Sequence, residues 1–576
     1  MKRLILTGCA LLLLMLLPAG AHAKGEPIKQ AFGANIHLRQ RIDESDWDVV
    51  LRKAENAGVQ WGREEFSWDV IEPADNSFSW AAYDSVVDAY EARGIRMVGL
   101  LSYSSSWASD LPGSSDSEFY PPDIKAWKDY VGRAAKRYAG RVDHWEIWNE
   151  PNHAGFWKGS LSEYATLLEA ASVAIKEENP NAKIVLGGLS GADSDFIDKL
   201  YDELDNPDII DIVAIHPYRE KSGNFNYAPE ESLTGLNLLM TDLYNVKAAV
   251  ERNDSNSTPI WLTELGWTTY KNGVTDKRQA AFLMRAYAIA LSVPTVKKVF
   301  WYALNDTSSD TSYAEAHFGL LDHANARKTS WHAYKFMRSY LTRARSNGQR
   351  LPKQQKVDDF SSNKGWEFSG TVCTDGSVTV PSDGRMKVSY AYTGPGNCYA
   401  PVALRKQLPE QSKVLQFKAR GSSDHTTLRV RVTDRWGETF QYTLGQLPDR
   451  WLHYTIQLNS YNDRWGGDND GALDRPLTFN SFVLDNKDGA KESGTVYFDN
   501  LYSSRVPDTY LYKFRKNRRS RYAYWTTTKP KALELNLAGD TAIRVKRLLK
   551  SSIRKNNSNG LFRVRATKIL KIIQAL

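Results

Sequence analysis

The sequence predicts an α/β chain: a (β/α)8 barrel followed by a C-terminal β-sandwich and a basic, β-rich tail. Three observations carry that expectation. Between residues 31 and 341, eight short apolar runs alternate with amphipathic stretches, the order that builds a parallel sheet wrapped by helices. From 357 to 506, short alternating runs lie between Gly, Asp and Asn turns, as in an antiparallel sandwich. From 511 to 576, 18 Lys and Arg stand against 2 Asp and Glu, with strand-like runs between them.

Taken in order, residues 1–23 read as a secretory signal. Lys2 and Arg3 supply the positive start, Leu11 to Leu17 the apolar stretch and Ala21-His22-Ala23 the cleavage site. The expected location is therefore secreted or periplasmic. Cys9 goes with the signal, and the two remaining cysteines, Cys373 and Cys398, are expected to form a disulfide in an oxidising compartment. No later run of 18 apolar residues predicts a membrane span.

The barrel domain is placed at 24–342, with strands AFGANIH (31–37), QWGREE (60–65), RMVGLLSY (96–103), HWEIWNE (144–150), KIVLGGL (183–189), DIVAIHPY (211–218), PIWLTELGW (259–267) and KKVFWYAL (297–304). Helical patterns separate them. WDVVLRKAENAG carries apolar residues at 47, 50, 51 and 54, one helix face, and LSEYATLLEAASVAIKEENP ends before Pro180. Residues 343–356, polar and without apolar period, read as a linker, 357–506 as the sandwich, and 507–576 as the basic tail. The tail strands are too few to close a domain alone, which leaves open a small accessory β-domain interrupted by the sandwich.

The formal net charge of +8 belongs to the tail, because the rest of the chain carries 57 basic against 65 acidic residues. A solvated surface or a contact with an acidic polymer or anionic surface both fit such a tail. Nucleic acid does not fit an exported chain with no nucleic-acid-binding signature. The 18 Trp and 29 Tyr are a heavy aromatic load, suited to stacking flat apolar faces as well as to packing cores.

Active sites of such barrels form at the carboxyl ends of the strands. Those ends carry His37, Arg63 with Glu64 and Glu65, Tyr103, Asn149-Glu150, His216 with Tyr218, Glu264 and Trp301. Glu150 ends the fourth strand, since Pro151 cannot continue a ladder, and Glu264 stands late in the seventh. Two carboxyls about 5–5.5 Å apart are what a retaining glycosidase needs, one protonated to release the leaving group and one ionised to attack. Arg63 would hold a nearby nucleophile ionised, and an aromatic pocket would keep an acid protonated. The assignment is Glu150 as acid/base and Glu264 as nucleophile, with no cofactor for catalysis.

The runs WEIWNEPN, PIWLTELGW, IHPY and WYALND resemble the (β/α)8 retaining glycoside hydrolases with glutamates on strands four and seven, and most closely family 39, over about residues 31 to 341. The resemblance implies that Asn149 binds the sugar 2-hydroxyl, that Arg63 and Tyr218 hold the Glu264 carboxylate, and that Trp301 floors the cleaved sugar's subsite. It implies His37 and His216 as pocket lining and Tyr103 and Trp107 as flanks of the cleft. Trp157, in the loop after strand four, offers a platform for a further sugar. For His37 a core histidine, and for Trp157 a packing role, compete with these readings. Trp145 and Trp148, three apart on one strand, are expected on opposite faces.

VDDFSSNKGWEF and TVYFDNLY resemble the first and last strands of a carbohydrate-binding jelly-roll module. That resemblance implies a structural calcium at Asp359 and Asp499, against the plain reading of turn aspartates. The acidic loop DRWGGDNDGALD (463–474) lacks EF-hand spacing, and the DRW repeats at 434–436, 449–451 and 463–465 present either a binding face or turn-edge aromatics. The leading expectation is an exported, retaining, endo-acting glycoside hydrolase on an extracellular or exopolysaccharide. Xylosidase- or cellulase-like activity, transglycosylation and a non-catalytic polysaccharide binder remain as alternatives.

Overall fold

The computed structural model describes residues 27–575 except 221–222, 231–238, 255–257, 350–353, 382–383, 395–397, 422, 448–450, 460, 487–491, 505–508, 518, 527–530, 537–541, 548–549, 557–560 and 567–570. The signal segment expected at 1–23 lies outside the described residues. Eight parallel strands close a barrel: β1 (Phe32–Asn35), β2 (Trp61–Ser67), β3 (Arg96–Ser102), β4 (His144–Asn149), β5 (Lys183–Ser190), β6 (Val213–His216), β7 (Ile260–Leu265) and β8 (Val296–Trp301). β8 returns to β1 through Phe32–Val299, Gly33–Phe300 and Ala34–Trp301.

Helices follow where the periodicity places them. Trp47–Ala57 buries Val50, Leu51 and Ala54. Leu161–Glu178 starts from a reciprocal box in which the Ser160 side chain accepts from the Glu163 backbone and the Glu163 carboxylate accepts from the Ser160 N–H. Such a cap contributes about 1 kcal/mol.

The amino-terminal end of the barrel is filled by large rings. Trp61 meets His144 edge-on at 4.9 Å, His144 stacks on Trp261 at 5.4 Å, and Val98, Val185 and Phe300 close the layer. The Lys298 ammonium lies 4.1 Å from the Trp61 ring centre and 4.7 Å from that of Trp261. Burial pushes it down to about 7, and burial also takes His144 down to about 4. With this end plugged, polar chemistry is confined to the carboxyl end.

The sandwich is two antiparallel sheets. One runs Thr374–Thr379, Met386–Tyr392, Ser493–Ser504, Val414–Arg420, Leu452–Gln457; the other Glu367–Phe368, Tyr399–Gln407, Thr478–Asn486, Ser423–Thr433, Thr439–Leu447, Asp463–Trp465. MKVSYAY at 386–392 alternates strictly between buried and half-buried, and Phe482 stacks on Phe498 at 4.1 Å between the sheets. A disulfide joins Cys373 and Cys398, whose Cα atoms are 5.8 Å apart.

The linker expected at 343–356 is corrected. Arg345–Gln349 is an edge strand paired with Thr509–Lys516, and Gln354–Asp358 pairs with Ser493–Ser504 of the sandwich. The partners lie about 150 residues downstream, so no local period announces these strands. The segment leaving the barrel and the carboxyl-terminal strands thus share one six-stranded sheet, with the sandwich inserted between them. Tyr510, Tyr512, Phe514 and Trp525 of that sheet join the barrel core, and the Trp525 indole N–H donates to Glu230 at 3.2 Å. The side chains of 527–570, which hold many of the tail's basic groups, lie outside the described ones. No described helix is long and apolar enough to cross a membrane.

Candidate active site

Arg63, from β2, stands in the centre of the barrel and is 1% exposed. Its Nε and Nη2 donate to the two oxygens of Glu146 at 2.9 and 3.0 Å, and Nη2 also to Asn149 Oδ1 at 3.0 Å. Its Nη1 donates to Asn35 Oδ1 at 3.1 Å and to Glu264 Oε1 at 2.6 Å. All five guanidinium N–H groups therefore have acceptors. Burial alone would lower its pKa, but Glu146 and Glu264 raise it, so it is a permanent cation.

Glu264, near the end of β7, takes its second hydrogen bond from the Tyr218 hydroxyl to Oε2 at 2.8 Å. Burial keeps that phenol well above its ordinary pKa, so it donates at any neutral pH. Glu150 follows β4 directly, with φ at 46° and its N–H on the Gly188 carbonyl at 3.0 Å. His216, at the end of β6, places Nδ1 2.8 Å from Glu150 Oε1 and 3.8 Å from Glu264 Oε2, while Nε2 meets Thr263 Oγ1 at 3.1 Å. Glycine is required at 188, because a Cβ there would stand 2.1 Å from His216 Nε2. One oxygen of Glu150 and one of Glu264 lie within 4.8 Å of each other.

The expected aromatic shelter of Glu150 is corrected. Burial raises its carboxyl, but the His216 hydrogen bond, then the charges of His216 and His153, bring it below the ordinary range. The Glu150–His216–Glu264 trio has the donor types of a metal centre; here Glu150 is bonded to His216, and both Glu264 oxygens are taken, one by Arg63 and one by Tyr218.

The expected faces of Trp145 and Trp148 are corrected too, since both rings pack outward in the layer between strands and helices. Trp145 meets Phe66, and Trp148 meets Trp127 and Trp157. Trp148 has φ at 70°, which breaks the alternation of β4 and turns Asn149 inward onto Arg63. A bulky residue in that region costs about 1–2 kcal/mol, which the dense ring packing offsets.

These groups open into a cavity of about 790 Å³ at the carboxyl end of the barrel. His37, Arg63, Tyr103, Asn149, Glu150, His216, Tyr218 and Glu264 all line it. Burial holds His37 well below its ordinary pKa, hence neutral. Trp107, Trp157 and Trp301, expected at the cleft, do not line it. Trp107 packs on Trp68 and donates to the Glu72 carbonyl; Trp157 is buried against Trp148 and Tyr164; Trp301 stacks on Trp267 with its N–H on the Phe318 carbonyl. The neighbouring Tyr302 faces the cavity instead, with Phe225 and Phe318.

The residues that the sequence reading missed are Glu146, Asn35, Tyr302, Arg41 and Glu315. Glu146 had a signal, an acidic residue in step with His144 on an otherwise apolar strand. Arg41, Tyr302 and Glu315 form one hydrogen-bonded wall of the cavity from three distant segments, and no local pattern links them. Asp359 and Asp499, expected to hold calcium, each face a lysine, Lys356 at 2.7 Å and Lys418 at 3.7 Å. Neither belongs to a group of three ligand atoms among the described residues.

The family model for glycosyl hydrolases family 39 matches residues 38–348, more than half of the chain. The chain belongs to that family. This family 39 chain is 26% identical over 290 residues to a protein named beta-xylosidase from Geobacillus stearothermophilus, covering 45% of this chain and 56% of that protein. It is 23% identical over 303 residues to a beta-xylosidase from Caldicellulosiruptor saccharolyticus, covering 48% of this chain and 58% of that protein. The chain thus spans little more than half the length of these curated relatives. Among solved structures, a family 39 glycoside hydrolase from the gut symbiont Bacteroides cellulosilyticus WH2 shares the fold, with TM-score 0.56, 17% identity, and coverage of 95% of this chain and 81% of that one.

Proposed function

We propose that this family 39 chain hydrolyses glycosidic bonds with retention, by double displacement on Glu264. The observation that supports this most is the pair of carboxyls within 4.8 Å, one gripped by Arg63 and Tyr218, the other joined to an imidazole. That spacing leaves no room for a water between sugar and base, as inversion requires.

Glu264, held by Arg63 and Tyr218, attacks the anomeric carbon while the bond to the leaving oxygen breaks. Glu150 supplies the proton to that oxygen. Its carboxyl lies 2.8 Å from His216 Nδ1, and the sugar, by displacing water as it enters, increases the burial that raises the Glu150 carboxyl. Water then enters on the same side, gives its proton back to Glu150, and releases the sugar from Glu264. Asn149, its Oδ1 engaged by Arg63, offers its amide N–H₂ to the 2-hydroxyl. Tyr302 and Phe318 supply the apolar face on which the ring rests.

The substrate of this reading is an extracellular polysaccharide, cleaved within the chain by an exported enzyme, with the sandwich holding the polymer nearby. The relatives named beta-xylosidase favour a second reading, release of β-xylosyl units. Sizing the products from a panel of purified exopolysaccharides and xylans separates the two. A ladder of long fragments supports internal cleavage, and a single monosaccharide supports the second reading. Undiminished cleavage by Glu264→Gln overturns both.

A further inference from the structure

The sandwich carries a group of carboxylates that the reaction does not use. The turn from Ser423–Thr433 into Thr439–Leu447 supplies Asp434 and Glu438, and the loop after Asp463–Trp465 supplies Asp468, Asp470 and Asp474. One oxygen each from Asp434, Glu438 and Asp468 lie within 4.8 Å of one another, and so do those of Asp468, Asp470 and Asp474. Asp468 belongs to both groups.

Acidic clusters on a surface are common, and this one is distinguished by a buried atom. Asp434 is 5% exposed; its Oδ1 accepts the backbone N–H groups of Trp436 and Glu438 at 2.9 and 2.8 Å, while Oδ2 is fully buried with no hydrogen-bond partner. An ionised oxygen out of water with nothing to bind is costly. Glu438 is fully buried as well, with Oε1 on Arg464 Nη1 at 2.5 Å and Oε2 on the Gly471 N–H at 3.2 Å. Arg464 and the Asp468 loop face the cluster together, and Arg464 also donates to Asn469 Oδ1. One guanidinium among five carboxylates leaves a net negative charge.

The loop is fixed against the turn. Gly467 has φ at 56°, and a Cβ there would stand 2.3 Å from the Glu438 nitrogen, so no other residue permits this approach. The Arg435 N–H donates to the Asp474 carbonyl at 3.2 Å, tying the other end.

We propose that Asp434, Glu438 and Asp468 form a calcium site that fastens the 463–474 loop to the turn. Oxygens up to 4.8 Å apart span the width of a calcium coordination sphere, with bonds of about 2.3–2.6 Å. The donor set is oxygen alone, hard and anionic, which selects calcium over zinc. The spacing in sequence is not that of an EF-hand because two separate loops contribute. Trp436, within the turn, and Trp465, at the end of the strand that leads into the loop, are 54% and 40% exposed, so an ion that joins turn and loop holds two exposed indoles in a fixed relation. That arrangement suits the stacking of sugar rings.

The test uses the full chain, freed of metal by chelation and titrated with terbium, excited through tryptophan. Sensitised emission that calcium displaces, and a rise of several degrees in the melting temperature of the sandwich with calcium, are expected. Magnesium should be at least tenfold weaker. Asp434→Asn, which keeps the Oδ1 acceptor, should weaken binding at least tenfold, and Asp468→Asn, at an exposed position, should do so without risk to folding. Absence of emission and of any calcium-dependent melting shift overturns the site, as does unchanged binding in Asp468→Asn or equal affinity for magnesium. None of these readouts depends on turnover, so the proposed hydrolysis stands or falls separately.

Discussion

His216 Nδ1 lies 2.8 Å from Glu150 Oε1, so this imidazole is the strongest lowering influence on the carboxyl proposed as the acid. Burial acts to raise the Glu150 pKa and His216 acts to lower it. Removing the imidazole removes the largest lowering influence and leaves only those of His153 and Ser190 against burial, and the sign follows: in His216→Ala the Glu150 carboxyl titrates at higher pH than in the native protein. Carbon NMR of labelled glutamate, with Glu150→Gln to identify the signal, measures it. A Glu150 pKa that stays put or falls contradicts the pairing.

Arg63 is predicted to tolerate no conservative change. Lysine keeps the charge but cannot reach Glu146, Asn35, Asn149 and Glu264 together. Arg63→Lys should lower kcat/KM by about a hundredfold, equivalent to about 2.7 kcal/mol of transition-state stabilisation. It should also lower the melting temperature, because Glu146 is left buried without its bidentate partner. Kinetics and calorimetry on the same preparation check both effects.

Trp301 and Tyr302 should separate stability from binding. Trp301→Phe loses the hydrogen bond to the Phe318 carbonyl and the stacking on Trp267, costing about 1–3 kcal/mol of stability while kcat/KM stays within a few-fold. Tyr302→Leu should instead raise KM, since that ring faces the cavity. Equal KM effects from both would contradict the assignment of Tyr302 as the platform.

Glu64 predicts a pH dependence of stability. Its carboxyl, buried between the Tyr90 hydroxyl and the Leu38 N–H, is raised from 4.5 to about 7, burial being the main cause. Between those values the folded state binds more protons than the unfolded one, so stability falls as pH rises from about 4.5 to about 7. Glu64→Gln removes that slope and should be the more stable protein at pH 8, by up to about 3 kcal/mol. Melting temperatures from pH 4.5 to 8 decide the matter.

Much of this was legible in the sequence because it is local. β4 ends at Asn149 because Pro151 forbids a ladder, the 161–178 helix is capped by Ser160 and Glu163, and both glutamates stand at strand ends. What escaped depends on phase or on distant pairing. Alternation along β4 fails at Trp148, where a left-handed backbone turns the strand by one residue. On β8 the choice between Trp301 and Tyr302 rests on which residue the strand turns inward, and the family resemblance pointed to Trp301 while Tyr302 lines the cavity. The strand Arg345–Gln349 reads as linker because its partner, Thr509–Lys516, is supplied after the whole sandwich has intervened. Glu146 escaped for a different reason: strand ends were searched, and its role lies one layer below.

The central claim is that Glu264, held by Arg63 and Tyr218, becomes covalently bound to the sugar. A 2-deoxy-2-fluoro glycoside with a good leaving group, of the sugar identified by product sizing, should inactivate the enzyme with one label per chain. Peptide mass spectrometry should place that label on Glu264 and not on Glu150. A label on any other residue, or an inverted anomer as the first product by proton NMR, would contradict it.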